Sequence, residues 1–242
     1  MNEAYFSRTE LLAGQQGMQK LARTSVAVIG LGGVGSYSAE ALARSGIGKF
    51  ILIDFDVIEP TNINRQILAL QSTIGKPKVE LMQQRIRDIN PKAEVIIYQE
   101  VLDGNNQERL LEGAEYCVDA IDSLSSKIGL LEFLLKNERK FISVMGAGNR
   151  LNPSQVHIST IDKSHNCPLA RRVRKLLNKK GIRGHFPCVY SSELPIIPEN
   201  DVSIEDSITK DRQRKVIGSI SYLPAVMGLM AAAYVIRSIL EG

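Results

Sequence analysis

Apolar and polar positions alternate regularly along the first 150 residues. Short apolar runs bounded by turn residues predict strands, and apolar residues repeated every three or four positions predict helices between them. The predicted strands cover 25–29, 50–53, 95–98, 116–120 and 141–145. The predicted helices cover 7–22, a segment ending at 46, 78–90, 107–111 and 126–136. This alternation predicts an α/β fold, Rossmann-like and doubly wound, with a mainly parallel sheet.

The pattern changes after residue 150. Two further strands are predicted over 155–161 and 186–190, with an amphipathic basic helix over 168–180 between them. Residues 192–215 are proline-rich, then acidic, then basic, and lack apolar periodicity, which predicts a mobile loop that orders only with a ligand. We therefore expect a first domain of residues 1–150 and an appended C-terminal lobe of residues 151–242, continuous with it.

One apolar segment is long enough to cross a membrane. Residues 216–236 contain no charged residue, and a stretch of that length could span a bilayer. However, the segment carries Gly218, Ser219, Ser221, Pro224 and Gly228, and the chain has no second such stretch. We therefore expect a helix buried all round in the core, and no membrane association.

Composition narrows the class of protein only slightly. Lys and Arg number 30 against 26 for Asp and Glu, an excess too small to indicate a polyanionic partner by itself. Cys117, Cys167 and Cys188 are widely spaced and form no CxxC pair, which excludes a zinc ribbon and a disulfide framework. The N-terminal segment lacks the features of a secretory signal. We expect a protein of the reducing cytoplasm.

A glycine-rich turn provides the first candidate for chemistry. Gly30, Gly32 and Gly35 form a GxGxxG motif between a predicted strand and a predicted helix, where backbone N–H groups can bind a phosphate. Asp54 ends the next strand, at the position of a ribose-binding carboxylate. A tight turn without a ligand is the structural alternative. Taken alone, the motif fits NAD as well as ATP.

Charged residues downstream favour ATP. Arg65 and Lys78 follow the second strand, where two fixed cations suit an enzyme that expels pyrophosphate better than a simple dehydrogenase. Asp122, after the fourth strand, lies at the edge where doubly wound sheets bind ligands, and a carboxylate beside a triphosphate suits Mg²⁺. Each of these residues, taken singly, is equally compatible with a surface ion pair.

The runs GLGGVG, LIDFD, TNINRQ, GKPKVE and DAIDS, in this order, resemble the adenylation domain of the E1-like superfamily, which includes ubiquitin-activating enzymes and sulfur-carrier adenylyltransferases. The resemblance covers residues 5 to 150 and implies formation of an acyl-adenylate from ATP. The ATP-binding set that it implies is Gly30, Gly32, Gly33, Gly35, Asp54, Asp56, Asn62, Arg65, Gln66, Lys78, Asp122 and Ser123.

The same resemblance implies individual roles. Arg65 and Lys78 would bind the triphosphate and stabilise the transition state, together with Asn62, and Asp122 would hold Mg²⁺. Arg8 resembles an N-terminal arginine that reaches the partner's ATP in a homodimer, and a solvated surface arginine is the alternative. Many members of the superfamily also carry zinc-binding CxxC pairs or a catalytic cysteine. Neither motif is present here, and a catalytic role of Cys167 or Cys188 stays open.

The second half resembles one branch of the superfamily, the tRNA threonylcarbamoyladenosine dehydratases. The segments that carry this resemblance are KSHNCPLA (163–170), YSSE (190–193), GAG (146–148) and 224–236. It implies that ATP adenylates the threonyl carboxylate of a modified adenosine beside the tRNA anticodon. The neighbouring carbamoyl group then attacks, AMP leaves and a ring closes. A tethered attacking group needs no enzyme nucleophile.

The predicted basic helix is the candidate tRNA contact. Its cationic residues are Arg171, Arg172, Arg174, Lys175, Lys179 and Lys180. A basic stripe suits phosphate-backbone binding, and a solvated amphipathic helix is the alternative. Besides tRNA, the expected partners are a second copy of the chain and a sulfur-transfer protein, and DNA is not expected.

Three rival functions stay open at this level. The chain could adenylate the C-terminal carboxylate of a ubiquitin-like or sulfur-carrier protein, which fits the same ATP motifs. A nicotinamide-dependent oxidoreductase is compatible with the glycine turn alone. A nucleotide-sensing scaffold without enzymatic activity is compatible with the motifs but leaves the charged residues unexplained. Stimulation of ATP–pyrophosphate exchange by a protein ending in Gly-Gly, and not by tRNA, would favour the activator of a protein carboxylate over the tRNA dehydratase. Nicotinamide binding without affinity for ATP would favour the oxidoreductase.

Overall fold

The computed structural model describes residues 5–197, 203–204, 214–215 and 217–242. The strands are β1 (Ser25–Ile29), β2 (Lys49–Ile53), β3 (Glu94–Tyr98), β4 (Tyr116–Asp119), β5 (Lys140–Val144), β6 (Val156–Thr160), β7 (Pro187–Ser191), β8 (Ser203–Ile204) and β9 (Arg214–Lys215). The first seven form one sheet in the order β3-β2-β1-β4-β5-β7-β6, and β8 pairs with β9. All pairings in the large sheet are parallel except β6 with β7.

Helices cover both faces of the sheet. They are α1 (Ser7–Arg23), α2 (Gly35–Arg44), α3 (Lys78–Ile89), α4 (Gln107–Leu110), α5 (Leu124–Lys136), α6 (Pro168–Lys179) and α7 (Tyr222–Glu241). One core cluster packs α1, α2, α3 and α7 against the sheet, and a second packs α4, α5 and α6 on the opposite face. Burial on both faces explains why β1 reads as an uninterrupted apolar run. The predicted fold class is confirmed.

The second half of the chain continues the same sheet. β7 is parallel to β5, and β6 closes that edge as an antiparallel neighbour of β7. Strands from before and after residue 150 share one hydrogen-bonded sheet. The division into a first domain and an appended lobe at this residue stays a prediction. Most of the predicted mobile loop over 192–215 lies outside the described residues.

The apolar C-terminal segment is a core helix, with one correction. By length and composition, α7 is the one described helix able to cross a membrane, yet it packs against α2, α1 and the sheet. Only half of its most apolar window is buried, so the expectation of burial all round is wrong. One side of α7 packs on the sheet and α2, and residues such as Leu229 face outward, 45 % exposed.

A buried ion pair joins the centre of the sheet to α5. Lys127 and Asp119 are fully buried, with 2.7 Å between Nζ and Oδ2. The Lys127 ammonium also donates to the carbonyl of Val144 at 3.1 Å, and the Asp119 carboxylate accepts from the hydroxyl of Ser143 at 2.5 Å and the N–H of Ile121 at 3.1 Å. A buried charge is tolerated when it is paired and hydrogen-bonded in this way.

We expect Lys127→Met to lower the free energy of unfolding by about 3–5 kcal/mol, because the Asp119 carboxylate would stay buried without its counter-charge. Chemical denaturation followed by circular dichroism measures the change. Lys136→Met is the matched control on the same helix, because Lys136 forms an exposed pair with Glu132. That pair should contribute less than about 0.5 kcal/mol. Equal losses in the two variants would contradict the structural role of the buried pair.

Candidate active site

The carboxyl ends of β1, β2 and β4 meet at one edge of the sheet. The glycine-rich turn follows β1, Asp54 follows β2, and Asp122 follows β4. Because these strands are parallel neighbours, their following turns lie side by side. This is the edge at which doubly wound sheets bind ligands.

Two glycines of the turn are required by contacts within the chain. Gly30 has φ +87°, and a Cβ there would lie 2.8 Å from the carbonyl oxygen of Ala120. A Cβ on Gly35 would overlap the carbonyl oxygen of Gly30. The turn therefore closes tightly against the end of β4, and α2 starts directly from it. The N-terminus of α2, the end of a helix that favours an anion, therefore lies directly after the turn.

Gly32 leaves room on the outside of the turn, and Gly33 is closely packed. A Cβ on Gly32 would meet only Nε2 of Gln66, at 3.8 Å, whereas one on Gly33 would lie 3.3 Å from both Arg65 and Pro224. Gln66 is buried, and its Oε1 has no hydrogen-bond partner among the described residues. An unpartnered buried amide beside open backbone is the arrangement expected where a ligand binds. This side of the turn therefore fits a phosphate-bearing nucleotide.

Asp54 holds the turn as well as facing the site. Its Oδ2 accepts the N–H of Leu31 at 2.5 Å, and its Oδ1 accepts the N–H of Asp56 at 2.9 Å. Burial raises the pKa of the Asp54 carboxyl, against the opposing effect of Lys78 and the two backbone N–H groups. Carboxylate oxygens that accept backbone N–H bonds keep lone pairs for ribose hydroxyls.

Two further predicted residues lie next to Asp54. The Lys78 ammonium, 5 % exposed, lies 2.6 Å from Oδ2 of Asp56. The backbone N–H of Lys78 also donates to the carbonyl of Asp56, at 3.1 Å. The site thus brings Asp54, Asp56 and Lys78 together at the end of β2.

The segment after β2 carries Asn62 and Arg65 to the glycine turn. The Asn62 side chain is buried and accepts the N–H of Glu59 at 3.2 Å, which shapes a short 3₁₀ turn. Nη1 of Arg65 donates to the carbonyl of Thr61 and to Oδ1 of Asn64, each at 2.9 Å. These partners hold the guanidinium on its own segment, while the Cγ and the carbonyl oxygen of Arg65 lie beside Gly33 in the turn.

Asp122 and Ser123 occupy the start of α5 and are both exposed. The hydroxyl of Ser123 lies 3.2 Å from that of Ser125. No group of three or more potential metal-ligating side chains occurs in the described part of the chain. Mg²⁺ in nucleotide sites needs only one or two carboxylates, because phosphates and water complete its shell. The exposed Asp122 carboxylate fits that requirement.

The structure does not bring Arg8 to the site of its own chain. Arg8 is exposed in the first turn of α1, and the preceding Phe6 packs beside Gly46, beyond the far end of α2 from the glycine turn. α1 is also kinked at Gly14, where φ is 69°. Any contact of Arg8 with ATP would therefore have to be made in another copy.

The basic helix divides into two kinds of residue. Arg174 is partly buried, and its Nη1 donates to the carbonyls of Ile161 and Ser164, so this side chain supports the lobe. Lys180 pairs with Glu132 at 2.7 Å. The four remaining predicted tRNA contacts are exposed: Arg171, Arg172, Lys175 and Lys179.

Burial of Cys117 and Cys188 disfavours nucleophilic catalysis by these two thiols. All three cysteines are free and buried. Burial raises the pKa of Cys117 and that of Cys188 to about 12, which disfavours the reactive thiolate.

Two buried cations that shape this edge, Lys127 and Arg150, were not predicted from the sequence. Lys127 lies in a predicted helix of mainly apolar residues. A lysine within such an apolar run is the sequence feature that could have predicted its burial. Arg150 is 4 % exposed and donates to four backbone carbonyls, those of Gly146, Gly148, Asn166 and Glu193. It thereby ties the loop after β5 to the segments before α6 and after β7. Nothing in its sequence context indicated those partners.

Known proteins provide an independent comparison. The chain is 41 % identical over 240 residues to the tRNA threonylcarbamoyladenosine dehydratase of Bacillus subtilis, covering 98 % of this chain and 94 % of that protein. It is 33 % identical over 250 residues to the enzyme of the same name from Escherichia coli, covering 97 % and 93 %.

Solved structures agree. The crystal structure of the E. coli enzyme in complex with ATP has a TM-score of 0.88 and 32 % identity, and covers 99 % of this chain and 95 % of that chain. Its complex with AMP has a TM-score of 0.89 over the same shares. The ThiF family model matches residues 6–242. The resemblance predicted from the motifs is confirmed: the chain belongs to the ThiF family.

Proposed function

We propose that this chain is an ATP-dependent dehydratase that cyclises threonylcarbamoyladenosine beside the anticodon of tRNA. The observation that carries the proposal is the match, across nearly the whole chain, to dehydratases of this name, one of which binds ATP and AMP. The site supports it, because the open turn at Gly32, the buried Gln66 and the cations Arg65 and Lys78 suit a triphosphate.

The proposed reaction has two steps, adenylation of the carboxylate and ring closure. A threonyl carboxylate oxygen attacks the α-phosphorus of ATP, the bond to the bridging oxygen breaks, and pyrophosphate leaves. The carbamoyl group then attacks the acyl carbon, a ring closes, AMP leaves and a proton is released. The nucleoside loses one water, whose elements appear in AMP and pyrophosphate. Because the attacking group is tethered to the acyl group, no enzyme nucleophile is needed, in agreement with the buried thiols.

The residues of the chain would act by binding and charge stabilisation. Asp54 would accept the ribose hydroxyls, and the N–H groups of the glycine turn would face the phosphates. Arg65 and Lys78 would stabilise the charge that accumulates as pyrophosphate leaves. Asp122 would hold Mg²⁺, which would supply positive charge to neutralise the phosphates.

We also propose the assembly and location expected from the sequence. A homodimer is supported by the resemblance to the superfamily, whose adenylation domains usually pair, and in it Arg8 would contact the site of the partner. A sulfur-transfer protein is a further proposed partner, supported only by the resemblance to the superfamily. Three free thiols and a tRNA substrate support a cytoplasmic location.

The decisive test is mass analysis of nucleosides from threonylcarbamoyladenosine-containing tRNA after incubation with the protein, ATP and Mg²⁺. We expect the modified nucleoside to lose the mass of one water, in step with AMP formation. Omission of ATP is the control. An unchanged nucleoside, with pyrophosphate exchange stimulated instead by a protein ending in Gly-Gly, would transfer the assignment to a protein carboxylate.

Removing a charged group at the site should abolish adenylation without unfolding the protein. We expect Arg65→Ala and Asp122→Ala each to slow pyrophosphate exchange by about 100- to 1,000-fold, because each would remove stabilisation of developing phosphate charge. Arg87→Ala and Asp88→Ala are matched controls, since both residues are exposed on α3. Near wild-type exchange in either site variant would refute the assigned role of that residue.

The exposed cations of α6 should govern the salt dependence of tRNA binding. We expect the double variant Arg171→Gln and Arg172→Gln to weaken binding and to flatten the slope of log Kd against log salt concentration by about 1.5, because two phosphate contacts are lost. Arg87→Gln with Lys92→Gln removes the same charge at the other end of the sheet. If both double variants keep the wild-type slope, α6 is a solvated amphipathic helix and does not contact the tRNA.

A further inference from the structure

Three rings form a cluster beside the carboxyl end of β7. The Tyr190 ring centroid lies 5.6 Å from that of His157 on β6 and 5.5 Å from that of His165, which precedes α6. Tyr190 is 4 % exposed, whereas both imidazoles are exposed within the described part of the chain. The buried tyrosine thus supports two outward-facing histidines, and none of the three residues has a role in the adenylation described above.

Hydrogen bonds hold the rings in place. The Tyr190 hydroxyl lies 3.3 Å from Nδ1 of His165, and Nε2 of His157 lies 2.9 Å from the Ser192 hydroxyl. Asn166 donates through Nδ2 to the carbonyl of Ser192 at 2.9 Å, which joins the segment before α6 to the segment after β7. The cluster is therefore a fixed surface rather than two independent mobile side chains.

The cluster lies on the side of the site from which the acceptor must enter. The predicted nucleotide contacts follow β2, β1 and β4, and the sheet continues from β4 through β5 to β7. Two strand spacings place β7 about 10 Å beyond β4. Because the proposed nucleotide would occupy the β2 side, the substrate carboxylate and the RNA that bears it would be left with the β5–β7 side.

α6 begins at this edge and carries exposed arginines in its first turns. A Cβ on Gly146, just after β5, would lie 3.6 Å from Cβ of Leu169, so the first turn of α6 starts at the same edge. The exposed Arg171 and Arg172 follow in the next residues. Exposed rings beside exposed guanidinium groups provide both partners of single-stranded RNA, because its bases stack on rings and its phosphates bind cations.

We propose that His157, Tyr190 and His165 form a base-stacking platform that binds an unstacked nucleobase of the anticodon loop next to the modified adenosine. The proposal rests on the proposed function for the identity of the RNA. A base held on the platform would anchor the loop while the neighbouring modified nucleoside extends toward Asp122. Reaction at a nucleoside in a loop requires that bases be unstacked, and the platform would replace the stacking that the loop loses.

The test uses an anticodon stem-loop RNA that carries threonylcarbamoyladenosine, with a fluorescent adenine analogue as its 3′ neighbour. Stacking on a ring should quench the analogue when the wild-type protein binds. We expect His157→Ala and His165→Ala each to raise the Kd for this RNA by about 5- to 100-fold and to reduce the quenching. His165→Phe restores a ring without the imidazole nitrogen and should recover most of the affinity.

His185→Ala is the matched control. His185, the third histidine of the chain, lies before the opposite end of β7 and pairs with Asp162 at 3.0 Å. The His185→Ala variant should bind the RNA and quench the analogue as the wild type does. ATP binding by all variants should also be unchanged, because the platform lies outside the nucleotide contacts.

The outcomes separate this proposal from the proposed function. If the wild type dehydrates the RNA and the two alanine variants bind and quench like it, the platform is refuted while the function stands. If the wild type binds and quenches without dehydration, and the alanine variants lose both, the function fails and the platform stands. Equal loss in His165→Phe and His165→Ala, or no RNA binding by the wild type, would overturn the platform.

Discussion

The buried carboxylate of Asp119 is the interaction on which the arrangement of the site depends. It ends β4, accepts from Lys127 of α5 and Ser143 of β5, and accepts the N–H of Ile121 in the turn that leads to Asp122. One charged group therefore fixes two central strands, a helix and the turn between them. Ala120, next in the chain, is the residue against which Gly30 closes. The glycine turn and the Asp122 turn are consequently held in register by a network that touches no ligand.

The nucleotide side of the site could be predicted from the sequence because its parts are local. A glycine turn between a strand and a helix, and a carboxylate after the next strand, are each legible within a few residues, and parallel strands bring their ends together. Asp54, Lys78 and Asp122 accordingly lie at the carboxyl edge of the parallel sheet, where the sequence analysis placed the ligand site. Element bounds were predicted to within a few residues because both core faces impose strong periodicity.

What could not be predicted depends on contacts between distant segments. Arg174 was grouped with the cations of α6, yet its guanidinium supports the turn at Ile161 and Ser164. The partners of Arg150 and Lys127 could not be predicted, because they are backbone carbonyls and a carboxylate that only the folded sheet brings near. Burial of α7 was overestimated, since an apolar composition does not distinguish a helix buried on one side from one enclosed on all sides.

The close packing of α7 on the glycine turn has a consequence for how the protein folds. A Cβ on Gly228 would overlap the carbonyl oxygen of Val34, so the helix backbone rests directly against the glycine-rich turn. Almost the whole chain separates these two residues in sequence. Contacts of such long range form late and slow folding, because loop-closure entropy must be overcome first. The glycine-rich turn can thus reach its final packing only after the C-terminal helix has been synthesised and has docked, so the site beside the turn is completed late in folding.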